Sequence, residues 1–315
     1  MGCGMGIVQA VADLSNPLQS RRSGPHEVDA ALRLVLGDRA DLAGFRESAA
    51  GRGQDLTATR VIHDGRRIVW AAVPVVSPGR TALLLCPPTL PEALAGVARA
   101  ALAEVVDELH AAGTRLVQLL AEPGSGLGGV AEAAGFSDLA TLAYFVRDVP
   151  RRPVPVEAAA PGVTWEAYDE AVNHALFVEV LDGTYAGSLD CPALAGLRNP
   201  ADILAGHKAA GDHDDALWEL MRVDGEPAGL LLLAGVPGSA AAEVVYLGLL
   251  AEHRGGGKRH ADRLMGRAFH LARRAGRGPI TLAADAANDP ALRLYRRHGM
   301  IEAYRRRAMM RLAGC

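Results

Sequence analysis

The chain has 315 residues, about twice the usual length of one domain, and half of its residues are hydrophobic. Its 33 basic and 36 acidic side chains give a formal net charge of −3, which excludes the basic footprint of a typical nucleic-acid-binding protein. Aromatic residues make up only 4% of the chain, too few for base-stacking platforms. We therefore expect two domains with hydrophobic cores and no nucleic-acid partner.

The cysteines and the apolar runs indicate in which cellular compartment the protein is expected. The four cysteines are scattered, with no spacing typical of a zinc site or a disulfide framework: Cys3, Cys86, Cys191 and Cys315. The longest apolar runs, 68–76 and 229–236, are too short to cross a bilayer and predict buried strands. We expect a cytoplasmic protein with neither a metal site nor a membrane segment. The oligomeric state stays open, a homodimer included.

Proline and glycine divide the chain into four parts. Residues 1–25 carry polar, glycine and proline punctuation and predict a loose leader, and residues 26–149 form the first folded unit. Four prolines follow within the 13 residues from Val149 to Pro161, which disfavours both helix and sheet. Residues 150–161 are therefore predicted to be a linker, and 162–315 the second unit.

The two halves repeat one order of elements. Each half begins with three strands and continues with a helix, a strand, a short helix and a last strand. The strands of the first half are predicted at 57–63, 67–76, 81–86, 115–121 and 142–147. Those of the second half are predicted at 217–223, 229–233, 243–250, 280–285 and 303–312. Gly113 and Gly135 are 22 residues apart, and Gly276 and Gly299 are 23 apart. This spacing favours an internal duplication, the alternative being chance, because Ala-Gly helix ends are common. The order predicts a mixed α/β sheet in each half.

The stretch from 243 to 261 carries the strongest chemical signal. An apolar run ends in a charged turn with the glycine triplet 255–257, and a helix with apolar residues at steps of three and four follows. Converging main-chain N–H groups and the helix dipole make such a turn an anion site, and Arg254, Lys258 and Arg259 add positive charge. The target would be a pyrophosphate. The alternative is a basic surface turn with flexible glycines.

A second motif lies on the strand 280–285 and the short helix after it. Asp289 is predicted to cap this helix, Pro290 suits its first turn, and Gly299 sits where it should end.

Together the two motifs resemble the GNAT acetyltransferase superfamily. Arg254-Gly-x-Gly257 follows a hydrophobic strand, and 31 residues after Gly257 comes Asn288-x-x-Ala-x-x-Leu-Tyr295-x-x-x-Gly299-Met300. The second motif matches the family pattern with Met300 in place of Phe. The first departs from Arg-Gly-x-Gly-x-Gly twice, because Lys258 replaces an aliphatic residue and Arg259 replaces the last glycine. The paired halves are similar to tandem-GNAT proteins.

The resemblance implies direct transfer of acetyl from acetyl-CoA to an amine, and it assigns residues to this reaction. It implies diphosphate binding by the turn Arg254, Gly255, Gly256, Gly257, Lys258 and Arg259, and an oxyanion donor on the main chain of Leu249 or Leu250. Tyr295 would be the general acid, and Asn288 would hydrogen-bond the cofactor arm. Glu243 is the candidate general base, the alternative being a surface glutamate at a strand end.

The loop 181–192 and the histidines after it are candidates for the acceptor pocket. Tyr185, Asp190 and Cys191 would line it, and His207 with the cluster 213–215 would attract a cationic amine. Solvated loops are the alternative for both groups. Glu252 is interpreted as a solvated residue. His260, at the helix start, could touch phosphate, and the alternative is a solvated or capping histidine.

The first half lacks the working parts. Pro87 to Pro91 stands where a phosphate loop would follow, and the run 124–130 has neither the Asn nor the Tyr of the second motif. We therefore expect a degenerate copy that supports the second half or closes its cleft.

Two other functions are compatible with the residues. One is a non-catalytic acyl-CoA-binding or regulatory module, favoured by Arg259 and by the uncertain base, while Asn288 and Tyr295 argue against it. The other is aminoacyl transfer from tRNA, which the net acidity and the two lysines disfavour.

Overall fold

The computed structural model describes residues 18–38, 40–51, 53–149, 161–255 and 257–314. Gly256, most of the predicted linker and the first 17 residues of the predicted leader lie outside these ranges. The chain divides into two compact units. The first unit contains the residues up to Leu139 together with the segment from Arg306, and the second unit contains Ala140–Arg305.

The first unit contains four helices and the strand order β1-β2-β3-β4-β5-β12 within its described residues. The strands are β1 Gln19–Arg22, β2 Arg60–His63, β3 Ile68–Ser77, β4 Thr81–Leu85, β5 Leu116–Ala121 and β12 Ile301–Leu312, of which the part from Arg306 belongs here. The helices are α1 Val28–Leu36, α2 Leu42–Gly51, α3 Ala95–Ala111 and α4 Leu127–Ala133. Only β4 and β5 pair in parallel, so the sheet is mixed.

The beginning of the first unit differs from the expected loose leader. Gln19–Arg22 pair antiparallel with β2 as an edge strand. Arg21 forms an ion pair with Glu27 at 2.6 Å, and Arg22 one with Glu108 at 2.8 Å. Charged side chains suit an edge strand, because only one of its sides is covered by a neighbour.

The second unit contains four helices and the strand order β6-β11-β10-β9-β8-β7 within its described residues. The strands are β6 Ser137–Arg147, β7 Val163–Ala167, β8 Trp218–Val223, β9 Glu226–Gly235, β10 Ala242–Leu249 and β11 Ile280–Asp285. The helices are α5 His174–Tyr185, α6 Pro200–Lys208, α7 His260–Arg274 and α8 Asp289–Arg297. The predicted strands agree with the observed ones to within three residues, apart from β6, which begins five residues earlier than expected; β1 and β7 were not predicted.

Each half of the chain supplies the last strand of the other half's sheet. β6, at the end of the first half, pairs antiparallel with β11 from Leu142↔Asp285 to Arg147↔Ile280. The C-terminal part of β12 pairs with β5 from Arg307↔Ala121 to Leu312↔Leu116. The compact units therefore differ from the sequence division at 149 and 162 in the position of these two strands. Sequence pattern identified both strands but contained no information about their partners.

The core of the second unit lies on both faces of its sheet. In β9, Leu231 and Leu233 pack with α7 and α8, whereas Leu230 and Leu232 pack with α5 and α6. Successive side chains of a strand point to opposite faces, so a strand covered on both sides is apolar throughout. This explains the run 229–234 and places β9 and β10 at the centre of the unit.

Within the described ranges, no helix combines the length and the apolar character that crossing a membrane requires.

Candidate active site

The central feature of the second unit is a wedge between β10 and β11. These strands pair in parallel at only two positions, Ala242↔Ile280 and Glu243↔Thr281. On its outer side, β10 stays paired with β9 as far as Leu249, and β11 stays paired with β6 as far as Asp285. The two strands therefore part after Glu243 and open toward their carboxyl ends. We call this gap the wedge.

The direction of the main-chain N–H groups decides which of them face the wedge. The N–H of Leu250 donates to the carbonyl of Ala228 at 3.0 Å, on the β9 side. Successive N–H groups of a strand alternate in direction, so the N–H of Leu249 points into the wedge. The Leu250 N–H is therefore engaged with β9, which corrects its assignment as an oxyanion donor, while the role of Leu249 stays a prediction. Leu247, two residues earlier, has the same direction and was missed, because the bulge between Val244 and Tyr246 hides the alternation from sequence.

The turn between β10 and α7 holds the predicted diphosphate site. Gly255 and Gly257 have φ values of 61° and 72°, a left-handed conformation that glycine adopts without strain. His260 and Ala261 begin α7, and the first N–H groups of a helix have no intrahelical acceptor. The turn therefore presents main-chain donors at a helix N-terminus, as an anion site requires.

The guanidinium of Arg254 has a different role from the one expected of a phosphate ligand. Its three nitrogens donate to main-chain carbonyls, Nε to Leu249 at 2.9 Å, one Nη to Ala186 at 2.7 Å and the other to Thr184 at 2.6 Å. Arg254 thus ties the end of α5 to the end of β10.

Lys258 and Arg259 are also engaged by the protein. The Lys258 ammonium donates to the carbonyl of Glu252 at 2.7 Å, and Arg259 Nε lies 3.6 Å from Asp262. Arg259 precedes α7 with a φ of 56°, in the left-handed region. This conformation gives a physical reason for the glycine that the family pattern has at this position, and Arg259 adopts it at a cost of about 1–2 kcal/mol.

Asn288 and Gly299 bound α8. The Asn288 carbonyl oxygen accepts the N–H of Ala291 at 3.3 Å, so Asn288 caps the helix, and the expectation for Asp289 is corrected. The Asn288 amide NH2 group has no recorded acceptor in the part of the chain that the structure describes. Gly299, at a φ of 70°, ends the helix as expected.

Tyr295 lies buried on the α8 side of the sheet. Its ring packs against Phe145 of β6, with a centroid distance of 5.6 Å. Burial, with the nearby carboxylate of Asp190, raises the pKa of the Tyr295 phenol well above its usual value. The hydroxyl therefore stays protonated at neutral pH, as a proton donor must.

Glu243 lies at the vertex of the wedge, at the last paired position. It is half-buried, and burial raises the pKa of its carboxyl group. No hydrogen-bond or ion-pair partner of this carboxyl group is recorded among the described residues. A partly desolvated carboxylate without a partner is suited to accept a proton.

The segment after α5 crosses the mouth of the wedge. At one end Arg254 holds the carbonyls of Thr184 and Ala186. At the other end, Asp190 accepts the N–H of Asp285 at 2.9 Å, and Asp285 accepts the N–H of Cys191 at 3.3 Å. Residues 184–191 are therefore attached to both strands of the wedge.

A group of aromatic side chains packs next to this segment. Tyr246 packs against Tyr185 at 5.5 Å and against His207 at 5.3 Å between ring centroids, and its hydroxyl lies 2.6 Å from that of Thr184. Of the other acceptor-pocket candidates, His213 instead pairs with Asp215 at 2.6 Å, and Asp214 caps a short turn. Sequence reasoning missed Arg198, which lies near Tyr185, because a single arginine in a loop gives no pattern.

The first unit contains a cavity but, within its described residues, no counterpart of the asparagine cap of α8. β4 and β5 pair as far as Leu84↔Leu119, and a cavity of about 880 Å³ opens beyond this point, between the end of α1 and residues 85–91. Its lining is mainly apolar. The short helix α4 begins after Gly126, without the asparagine cap of α8.

Comparisons with known proteins agree with this geometry. Residues 189–300 match the model of the family described as "Acetyltransferase (GNAT) family". A GCN5-related N-acetyltransferase from Sphaerobacter thermophilus superposes with a TM-score of 0.66 at 18% identity, over 95% of this chain and 97% of the other. A tandem GNAT protein from the clavulanic acid biosynthesis pathway gives 0.55 at 17% identity, over 95% and 99%.

A third solved structure, a GCN5-related N-acetyltransferase from Kribbella flavida, gives a TM-score of 0.50 at 17% identity, over 76% of this chain and 89% of the other. No curated protein matches the chain. The fold is that of GNAT proteins, in the first unit as well as the second. More particularly, residues 189–300 form a GNAT-family domain, and the chain as a whole has a tandem GNAT fold.

Proposed function

We propose that this protein is an N-acetyltransferase that uses acetyl-CoA and an amine acceptor, with both bound at the wedge of the second unit. The observation that carries the proposal is the alignment of three features on one strand. β10 has a candidate base at its start, inward-facing N–H groups beyond its bulge, and a glycine turn at a helix N-terminus after its end.

The residues at the wedge fit acetyl-CoA. The turn 254–259 offers main-chain N–H groups with positive helix charge for a diphosphate, and the Asn288 amide offers a donor beside α8. When bound, acetyl-CoA supplies an acetyl thioester. Gly256, also assigned to this turn, lies outside the described residues.

Different protein groups would then stabilise the acyl oxygen, accept a proton and donate a proton. The N–H of Leu249, with that of Leu247, would donate to an acyl oxygen in the wedge. Glu243 would accept a proton from the acceptor amine, and its raised pKa makes it a stronger base than an ordinary glutamate. Tyr295 would supply a proton to the departing sulfur, for which its phenol is kept protonated by burial.

One observation favours a non-catalytic acyl-CoA-binding module instead. Arg259 occupies a left-handed position where the family pattern has glycine, and its side chain is directed to Asp262. Such a turn would bind the diphosphate less closely. Binding without turnover on any amine would support this second function.

The proposal is tested by binding and turnover measured separately. Calorimetric titration with CoA measures binding, and thiol release from acetyl-CoA over a panel of amines measures transfer. Tyr295→Phe is expected to keep CoA affinity and lose about 10²- to 10⁴-fold in kcat. Tyr304→Phe, on an exposed tyrosine of β12, is the matched control and should retain activity. Equal activity of Tyr295→Phe and the wild type would remove Tyr295 from the mechanism.

A further inference from the structure

A bipolar site lies beside the wedge, on the segment that crosses its mouth and the loop after it. Its members are Tyr185, Asp190, Arg198 and His207. The proposed function does not use any of them. All four belong to the second unit.

Asp190 forms the negative end. One carboxylate oxygen accepts the N–H of Asp285 at the end of β11, which fixes Asp190 at the wedge. The side chain keeps solvent-accessible surface, yet the surrounding protein desolvates the carboxyl group and raises its pKa. Asp190 also acts electrostatically on Tyr295, so this end is the one next to the candidate acid.

Arg198 and His207 form the opposite end. Arg198 is half-buried and has no carboxylate partner among the described residues, and its Nε is buried without a hydrogen-bond acceptor there. The Nε2 atom of His207 is buried and equally without a partner. Burial, with the nearby Arg198, lowers the pKa of His207 to about 4, so its imidazole is neutral and offers one N–H donor. Buried donors without partners cost free energy, which a ligand with acceptor atoms would recover.

Tyr185 shows that the two ends belong to one site. Burial raises the pKa of its phenol to about 12, the Arg198 guanidinium opposes this rise, and Asp190 and Cys191 add to it. The hydroxyl is therefore within electrostatic reach of both the cation and the carboxylate. The ring of Tyr185 is in turn held by Tyr246, which also contacts His207.

We propose that the acceptor is an amino acid or a close analogue, whose carboxylate is held by Arg198 and His207 and whose amino group is held by Asp190 beside Tyr295. An arginine suits a carboxylate because its planar fork donates two parallel hydrogen bonds. The orientation follows from the hydrogen bond that holds Asp190 against the end of β11, which is one side of the wedge. This inference rests on the proposed function and names its substrate class.

The group transfer balances with this arrangement. The acceptor enters as an ammonium ion and loses one proton before attack. Its nitrogen then forms the bond to the acetyl carbon while the carbon–sulfur bond breaks, and the nitrogen's second proton is lost as the thiolate gains one. The products are an N-acetyl amino acid, CoA and one released proton. Acetylation removes the positive charge of the amino group, so Asp190 loses its partner and the product leaves more readily.

Matched pairs of acceptors test the proposal. The probes are L-alanine with ethylamine, L-phenylalanine with phenethylamine and L-arginine with agmatine, together with the methyl ester of each amino acid. Thiol release gives kcat/KM, and calorimetry with CoA present gives binding without turnover. We expect at least one amino acid to exceed its decarboxylated and esterified partners by about 10- to 100-fold, the worth of a charged hydrogen bond.

Two variants test separately the carboxylate-binding end and the amine-binding end of the bipolar site. Arg198→Met is expected to raise KM for the preferred amino acid by about 10- to 100-fold and to leave its decarboxylated partner within about threefold. Arg293→Met, on an exposed face of α8, is the control. Asp190→Asn is expected to weaken both members of the pair, with Asp182→Asn on the exposed face of α5 as its control.

The outcomes separate this inference from the proposed function. If the protein binds CoA but neither binds nor acetylates any amino acid of the panel, or treats each pair alike, the inference is overturned and the acetyltransferase proposal stands. The same holds if Arg198→Met lowers both members of a pair equally. If CoA itself does not bind, the proposed function fails, and this inference fails with it.

Discussion

The side chain of Arg254 allows a sharp test, because its sequence position suggests a phosphate ligand and its contacts indicate a structural tie. We consider Arg254→Met, which keeps most of the aliphatic length and removes the charge. The variant loses three hydrogen bonds to the carbonyls of Leu249, Ala186 and Thr184. Two of these carbonyls lie at the end of α5, where the last carbonyl groups of a helix have no intrahelical donor.

The magnitude follows from the number and exposure of these bonds. A hydrogen bond from a charged donor contributes about 1.5–3 kcal/mol, and solvent competes for the most exposed of the three. We therefore expect the free energy of unfolding of the second unit to fall by about 2–4 kcal/mol. The segment 184–191 should loosen at the mouth of the wedge, so KM for the acceptor should rise, while the main-chain N–H groups that face the diphosphate remain.

Urea unfolding and calorimetric titration with CoA measure the two effects on the same preparation. Lys258→Met is the matched control, because it removes a cation from the same turn but only one exposed bond, to the carbonyl of Glu252. We expect CoA affinity to change less than about threefold in Arg254→Met. A loss of CoA affinity greater than tenfold with unchanged stability would refute this reasoning, since it would place the guanidinium on the diphosphate.

Three further changes test other parts of the second unit. In Glu243→Gln the acid limb of kcat/KM should disappear, because the deprotonated carboxylate is the active form and burial raises its pKa; an unaltered limb would assign the limb to another group. In Gly248→Ala the added Cβ would lie 2.6–2.9 Å from atoms of the Tyr246 ring, so unfolding measurements should show a loss of about 1–3 kcal/mol and a higher acceptor KM, whereas the control Gly96→Ala, with no atom within 4 Å, should not destabilise. In Asp262→Asn a neutral amide replaces the buried carboxylate that accepts from Arg297 and His298 at 2.9 and 3.0 Å, which should cost about 1–3 kcal/mol because Arg297 is partly exposed. Although burial opposes it, these bonds lower the pKa of Asp262, so the wild type should lose this stability as the pH falls below about 4 and the variant should show a flatter acid profile; parallel profiles would contradict the assigned pairing.

Local sequence pattern was sufficient for most of the helices and strands and for the turns that flank α7 and α8. The steps of three and four in α7, and the apolar run of β9, depend only on which faces are buried. The positive φ values of Gly255, Gly257 and Gly299 are local as well, since few other residues adopt them without strain. These features required no knowledge of distant residues.

Side-chain partners could not be predicted in the same way. Arg254 was assigned to a phosphate because of its motif, but the carbonyls that bind it lie about 70 residues earlier in the chain. Asp262 is a charged residue in the first turn of α7, yet it is buried against Arg297 and His298 of the α8 end. A sequence period of 3.6 gives the face of a helix but not which polar residue on its edge meets a neighbour.

The sequence by itself determined a mixed α/β chain in two similar halves, a glycine turn before α7, and the positions of Asn288 and Tyr295. Only the tertiary structure decided which strands pair, that β10 and β11 part after Glu243, and that Asp190 and Arg198 both lie near Tyr185. The reason is physical. Turns and periodicity arise from interactions within a few residues, whereas a strand's partner and a side chain's charge environment depend on segments that are far apart in the chain.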